Sequence, residues 1–124
     1  MTTPRFQKPT SFLVAIAALA FVTSCRDSAA AKSISVSMRN TEVYRYPTVG
    51  GDEEGATIST QAAHYRVSEM RRNFDTNWVA TYVYQPAAGF VGSDYVELEI
   101  VTGSDGATPP TNTTKVMLHF AIHD

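Results

Sequence analysis

Disulfides are the first thing this chain goes without. It has one cysteine in 124 residues, Cys25, so no intrachain bridge can form and packing alone must stabilise the fold. It has no basic excess either: ten Lys and Arg stand against twelve Asp and Glu, which removes the electrostatic motive for binding nucleic acid. No apolar run reaches the ~20 residues that a membrane-spanning helix requires. No serine sits in a nucleophile-elbow sequence, and Asp52-Glu53-Glu54 is a run of consecutive acids without the spaced oxygen ligands of a calcium loop. His119 and His123 are four apart, a zinc-like spacing on a helix, but on a strand that spacing separates them by about 13 Å. No catalytic residue, metal or cofactor is therefore assigned, and the reading is of a protein that is not an enzyme. An internal repeat is missing as well, which disfavours a solenoid.

What is present begins with an address. Arg5 and Lys8 precede the apolar residues 12–22 (FLVAIAALAFV), and these run into Val22-Thr23-Ser24-Cys25. Charged, apolar and small residues in that order form a secretory signal. The junction resembles the bacterial lipobox, in which an aliphatic residue and two small residues precede the cysteine that is acylated. That resemblance implies a cleaved lipoprotein signal peptide over residues 1–24, a palmitate-type anchor on Cys25 and a membrane as partner. Arg26, where an acidic residue can favour inner-membrane retention, leans the destination towards the outer membrane of a diderm envelope. An ordinary secretory cut at Ala29-Ala30-Ala31 is the alternative.

Residues 25–32 (CRDSAAAK) are small and polar and read as a flexible tether of at most about 25 Å. The remaining chain is long enough for one domain, with net charge −4 counted from Cys25 onward. From Ser33 the apolar period is two. Ile34, Val36 and Met38 share one strand face; Val96, Leu98 and Ile100 share another; Val116, Leu118, Phe120 and Ile122 a third. Residues 42–46, 56–60, 65–71 and 78–85 supply further strands, separated by Gly- and Pro-rich connections. About seven short strands predict an all-β, two-sheet sandwich over residues 33–124. Trp78, Tyr82 and Tyr84 fall on one face of the 78–85 strand and are expected in its core.

Residues 82–100 (YVYQPAAGFVGSDYVELEI) carry the most specific pattern: Tyr84, Pro86, Gly89, Phe90, Gly92 and Asp94, then an alternating strand. It resembles the bacterial cadherin-like and related immunoglobulin-like modules over roughly residues 74–122. The residues themselves imply structural roles. Pro86 ends a strand, Gly89 and Gly92 permit backbone angles that let Phe90 tuck beneath the connection, and Asp94 accepts backbone amides of the turn.

Two features point outward. Arg71 and Arg72, with Arg66, form a basic group around Glu69, suited to an anionic glycan or lipid or simply to a charged strand edge. Tyr95 points away from Val96 and is a candidate binding aromatic. The expectation is a lipid-anchored, non-enzymatic protein of the bacterial cell envelope that binds or supports another envelope component through protein interaction or adhesion. A carbohydrate-binding module and a purely structural spacer or assembly subunit are the alternatives. An exposed aromatic platform would favour glycan, and an open strand edge would favour protein.

Overall fold

Alternation dictates the architecture. In the computed structural model, which describes residues 30–48, 55–103 and 107–124, seven strands follow one another: β1 (Ala30–Arg39), β2 (Tyr44–Pro47), β3 (Gly55–Thr60), β4 (Tyr65–Arg71), β5 (Thr81–Pro86), β6 (Gly92–Thr102) and β7 (Asn112–His123). A single 3₁₀ turn, Phe74–Thr76, lies between β4 and β5. The strands form a four-stranded sheet in the order β1-β7-β6-β3 and a three-stranded sheet in the order β2-β5-β4. All pairings are antiparallel except β1 with β7, which is parallel. Two sheets of this make-up are the arrangement of an immunoglobulin-type sandwich, with the first strand laid beside the last.

The core forms where the period-two apolar sets of both sheets meet. Met38, Val96, Leu98, Ile100, Val116, Leu118, Phe120 and Ile122 are buried from the four-stranded side. Tyr82 and Tyr84 are buried from the other, and Ile34, Val36, Tyr44 and Met70 pack against the same cluster. The Tyr84 ring stacks on Phe120 at 4.0 Å between centroids, and Tyr44 meets the same ring edge-on at 5.6 Å. Each buried phenol finds a partner, as a polar tip in an apolar core must. Tyr82 shares a hydrogen bond with Ser68 Oγ at 2.7 Å, and Tyr84 donates to Asp94 at 2.8 Å. Burial pushes the Tyr82 hydroxyl up to about 12.

Several boundaries and one side chain depart from the sequence reading. β1 begins at Ala30, so residues 30–32 of the expected tether are already in the ladder against residues 114–116 of β7; the signal peptide and residues 25–29 lie outside the described residues. β6 starts at Gly92 and β7 at Asn112, each four residues before the first apolar member of its alternating set, Val96 and Val116. Polar residues can extend a ladder whose outer face meets water.

Trp78 is not core but 63% exposed. The chain enters β5 only at Thr81, because Asn77 and Trp78 both adopt left-handed angles (φ 49° and 62°) that break the extended run.

Candidate functional site

The residues of the Tyr84–Asp94 motif converge on one end of the sandwich. Pro86 closes β5 and is fully buried opposite Tyr65. Gly89 and Gly92 take φ of 72° and 143°, a region that side chains disfavour. A Cβ on Gly92 would also stand 3.2 Å from the Phe90 ring. Phe90 tucks back as expected, yet it is half-buried rather than enclosed: its ring stacks on His64 at 4.2 Å and rests against the edge of the core.

Asp94 does more than cap its own turn. Its carboxylate accepts the amides of Ala63 at 2.8 Å, His64 at 2.9 Å and Tyr95 at 2.9 Å, besides the Tyr84 hydroxyl. Burial alone would raise its pKa, but these four donors outweigh that and hold it below the ordinary carboxylate value. The motif is a staple that fastens the β3–β4 connection to the start of β6.

The proposed contact residues Tyr95, Arg71 and Arg72 are not brought together. Tyr95 lies on the outer face of the four-stranded sheet near the start of β6, in register with His119. Arg71 and Arg72 lie at the end of β4 in the other sheet, beside Gly55 and Ala56, which pair with the far end of β6 at Val101 and Ile100. Val101 lies six positions beyond Tyr95 on β6, about 20 Å along the sandwich. Arg71 Nε is also engaged by Glu69.

What Tyr95 does join is a shallow open trough of about 630 Å³. Its outer-face residues fall in two cross-strand rows, Ser35–His119–Tyr95 and Ser37–Ala121–Ser93. Four of the six are Ser or Ala, so the floor is low, and the two rings form its raised side, 4.9 Å apart and tilted at 44°. The Tyr95 hydroxyl donates to Glu97 at 3.1 Å, and Glu97 also accepts from Lys115 at 3.1 Å and from Ser59 at 3.0 Å. These hydrogen bonds, from Lys115 first, hold the Glu97 carboxyl below its usual value and the Lys115 ammonium above its own. The network restrains the Tyr95 ring on the outer face. Hydroxyls and two ring faces can hydrogen-bond and stack.

The trough opens beside β1, an edge strand of the four-stranded sheet. The three other sheet edges carry features that discourage strand addition. β2 is four residues long and ends in proline. β3 is bulged between Ile58 and Thr60. β4 is bulged between Tyr65 and Val67 and charged at Arg66, Glu69 and Arg71. β1 is ten residues long, in unbroken register, without proline, and charged only at Lys32 and Arg39. Neither the trough nor the bare edge was legible beforehand. The alternation marked Tyr95 and His119 as outward, but only the pairing register makes them neighbours.

No protein-family model matches the chain, and no curated protein does. Among solved structures it is similar to part of an endo-fucoidan hydrolase of glycoside hydrolase family 107, at 13% identity and a TM-score of 0.47 over 73% of this chain and 12% of that one. It is also similar to a cysteine protease inhibitor from Entamoeba histolytica, at 9% identity and a TM-score of 0.37 over 77% of this chain and 98% of that one. The chain thus spans about an eighth of the length of the hydrolase.

Proposed function

We propose that this protein is a lipid-anchored, non-enzymatic component of the bacterial cell envelope, a cadherin-like module that binds a protein partner by strand addition along β1. The bare β1 edge carries the reading. Alternate residues of this ten-residue strand offer their outer backbone groups, with neither bulge nor proline and with charge only towards its ends, and an extended segment laid there continues the sheet while the trough beside it receives side chains.

The lipoprotein assignment gains support from the extent of β1. Processing at Cys25 leaves the whole strand intact, whereas a cut at Ala31 removes its first rungs, Ala30 with Thr114 and Ala31 with Lys115. The Cys25→Ser chain is expected to lose acylation and leave the membrane fraction. An unmodified mature N-terminus at Ala31 or Lys32, found by intact mass, would sink the anchor.

The partner is tested by placing a photoreactive side chain at Ser35, on the open edge, and separately at Glu69 in β4, the opposite sheet. A discrete adduct in native envelopes at the first position and none at the second is the expected result. Equal labelling at both removes β1 from the interface.

A second reading rests on the Tyr95–His119 pair above its serine floor, an aromatic platform with polar neighbours of the kind that stacks on a sugar ring. It predicts that Tyr95→Ala abolishes retention on immobilised envelope glycan while the domain stays folded. Retention that survives Tyr95→Ala excludes the platform.

A further inference from the structure

The connection between β4 and β5 presents two large apolar side chains to solvent: Phe74, 86% exposed, and Trp78, 63% exposed. They project from a held turn. Asn73 caps the 3₁₀ turn by accepting the Thr76 amide, while the Thr76 hydroxyl accepts the Asn73 amide. The Trp78 amide donates back to the Asn73 carbonyl at 2.9 Å. Trp78 adopts φ 62°, a left-handed conformation that a bulky residue occupies only when its surroundings impose it. A fold that strains its backbone to keep its only tryptophan in water invites the question of what that ring meets.

Topology supplies the answer. Ala30, Thr114, Ile100 and Ala56 form one row across the four-stranded sheet, and Ala56 shares a recess with Arg71, Arg72 and Ala80 at the base of the β4–β5 connection. On the other flank Lys32 lies over the Tyr46 ring, one residue before Pro47, which pairs with Thr81. The start of β1 and the Phe74–Trp78 turn are therefore at the same end of the sandwich. The row from β1 to β3 spans about 14 Å at ~4.8 Å per strand. Cys25 precedes Ala30 by five residues, so covalent geometry holds its sulfur attachment within roughly 18 Å of the strand start. An acyl anchor on Cys25 and the exposed rings must then share a neighbourhood.

We propose that the β4–β5 turn is a bilayer-docking element, with Phe74 and Trp78 entering the headgroup region beside the lipid anchor. The proposal rests on the lipoprotein reading. Tryptophan favours that interface because its ring is apolar and its N–H still finds a partner there. A second point of attachment converts a domain on a short leash into one of fixed orientation, with the β1 edge running away from the membrane and the Asp94 end outermost. Charge does not drive the contact. Arg71 and Arg72 are matched in number by Glu69 and Asp75, so no net charge draws the turn to anionic headgroups and zwitterionic ones suffice.

The single tryptophan makes the test direct. The mature full chain, its Cys25 acylation verified by intact mass, is placed in vesicles of phosphatidylcholine and phosphatidylethanolamine. Trp78 emission is then compared with that of the unacylated Cys25→Ser chain in buffer. Docking shifts the emission to the blue, lets phosphatidylcholine brominated near the headgroup quench it, protects it from aqueous iodide, and resists added salt. Phe74→Ser should move the docked-to-undocked balance about tenfold towards undocked, the order expected for withholding one large apolar side chain from the bilayer. Acylated protein whose Trp78 stays as open to iodide as in the soluble chain overturns this proposal alone, whereas an unmodified Cys25 overturns the anchor and the proposal together. Shielding of Trp78 in native membranes but not in pure lipid vesicles also overturns it and assigns the turn to a protein partner.

Discussion

The two ends of the sandwich satisfy their backbones in opposite ways. At the Asp94 end the bonds are long-range: Asp94 reaches Ala63 and His64, about thirty residues back in the chain, and Ala87 donates to the His64 carbonyl. At the Trp78 end the bonds that shape the turn are local, running among residues 73–79, and the long-range bonds from Thr48 to the Ala80 carbonyl lie just beyond it. The first end knits two connections into the core and buries its polar group. The turn at the second is shaped mainly by its own residues, and its two large rings stay outside. A staple of the first kind is bound up with global stability; a self-contained turn can be altered with little effect on the fold. The contrast separates residues retained for folding from residues free to serve contact.

Removing the staple should produce the largest effect. Asp94→Ala strands three amides in a part-buried site and leaves the Tyr84 hydroxyl only the His64 carbonyl at 3.3 Å, with an expected loss of about 3–5 kcal/mol in urea or thermal unfolding. A loss under about 1 kcal/mol would erase the distinction between the ends, since an exposed capping residue costs that much.

The same carboxylate sets an acid limit. Its folded pKa lies below the ordinary value of 3.8, so the unfolded chain takes up the proton first as pH falls. The stabilisation is complete well above pH 4 and drains away as pH drops through the unfolded and then the folded value. Wild-type melting midpoints should fall steeply below about pH 4, and Asp94→Asn should flatten that part of the profile. A profile unchanged by the substitution would assign the acid sensitivity to other carboxylates.

How much of this was legible in the sequence differs between the ends for the same reason. Alternation alone located the inward faces of β1, β6 and β7, because Ile34, Val96 and Val116 begin unbroken period-two sets. Glycine chemistry marked the turns at Gly89 and Gly92, whose angles only glycine adopts readily. The motif also marked Asp94 as an acceptor, but not the identity of Ala63 and His64 as its donors, since nothing local encodes a partner thirty residues away. Trp78 was misplaced because it continues the parity of Tyr82 and Tyr84. Of the two left-handed residues that break that parity, Asn77 is of a type that tolerates the conformation, but Trp78 is not, and nothing in the sequence announced it. The Tyr95–His119 pair was hidden in the register, which depends on where β7 begins.

Phe90 sits between the extremes. Its ring is half-buried against His64 and the Gly92 backbone, so Phe90→Ala should cost about 1–2 kcal/mol, less than the ~3–5 of a fully enclosed ring. Tyr95→Ala, on the outer face, should cost less again. If the thermal melts reverse that order, the inward and outward assignments after Gly92 are displaced by one residue.

The smallest effect, and the one of opposite sign, belongs to Trp78. A left-handed conformation costs an ordinary residue about 1–2 kcal/mol, and Asn tolerates it better because its short polar side chain can bond locally. At φ 62° with most of its ring in water, Trp78 returns little packing for that cost. Trp78→Asn should therefore leave the fold intact and raise stability by about 0.5 kcal/mol, read as a small upward shift of the urea midpoint at unchanged slope. It should at the same time weaken the hold of the acylated domain on vesicles, since the turn loses its larger ring. Stability and contact would then move in opposite directions at one residue, as expected where a strained conformation is kept for function. A destabilisation of more than about 1 kcal/mol would mean that the ring is packing after all, and the Trp78 end would be part of the scaffold like the other.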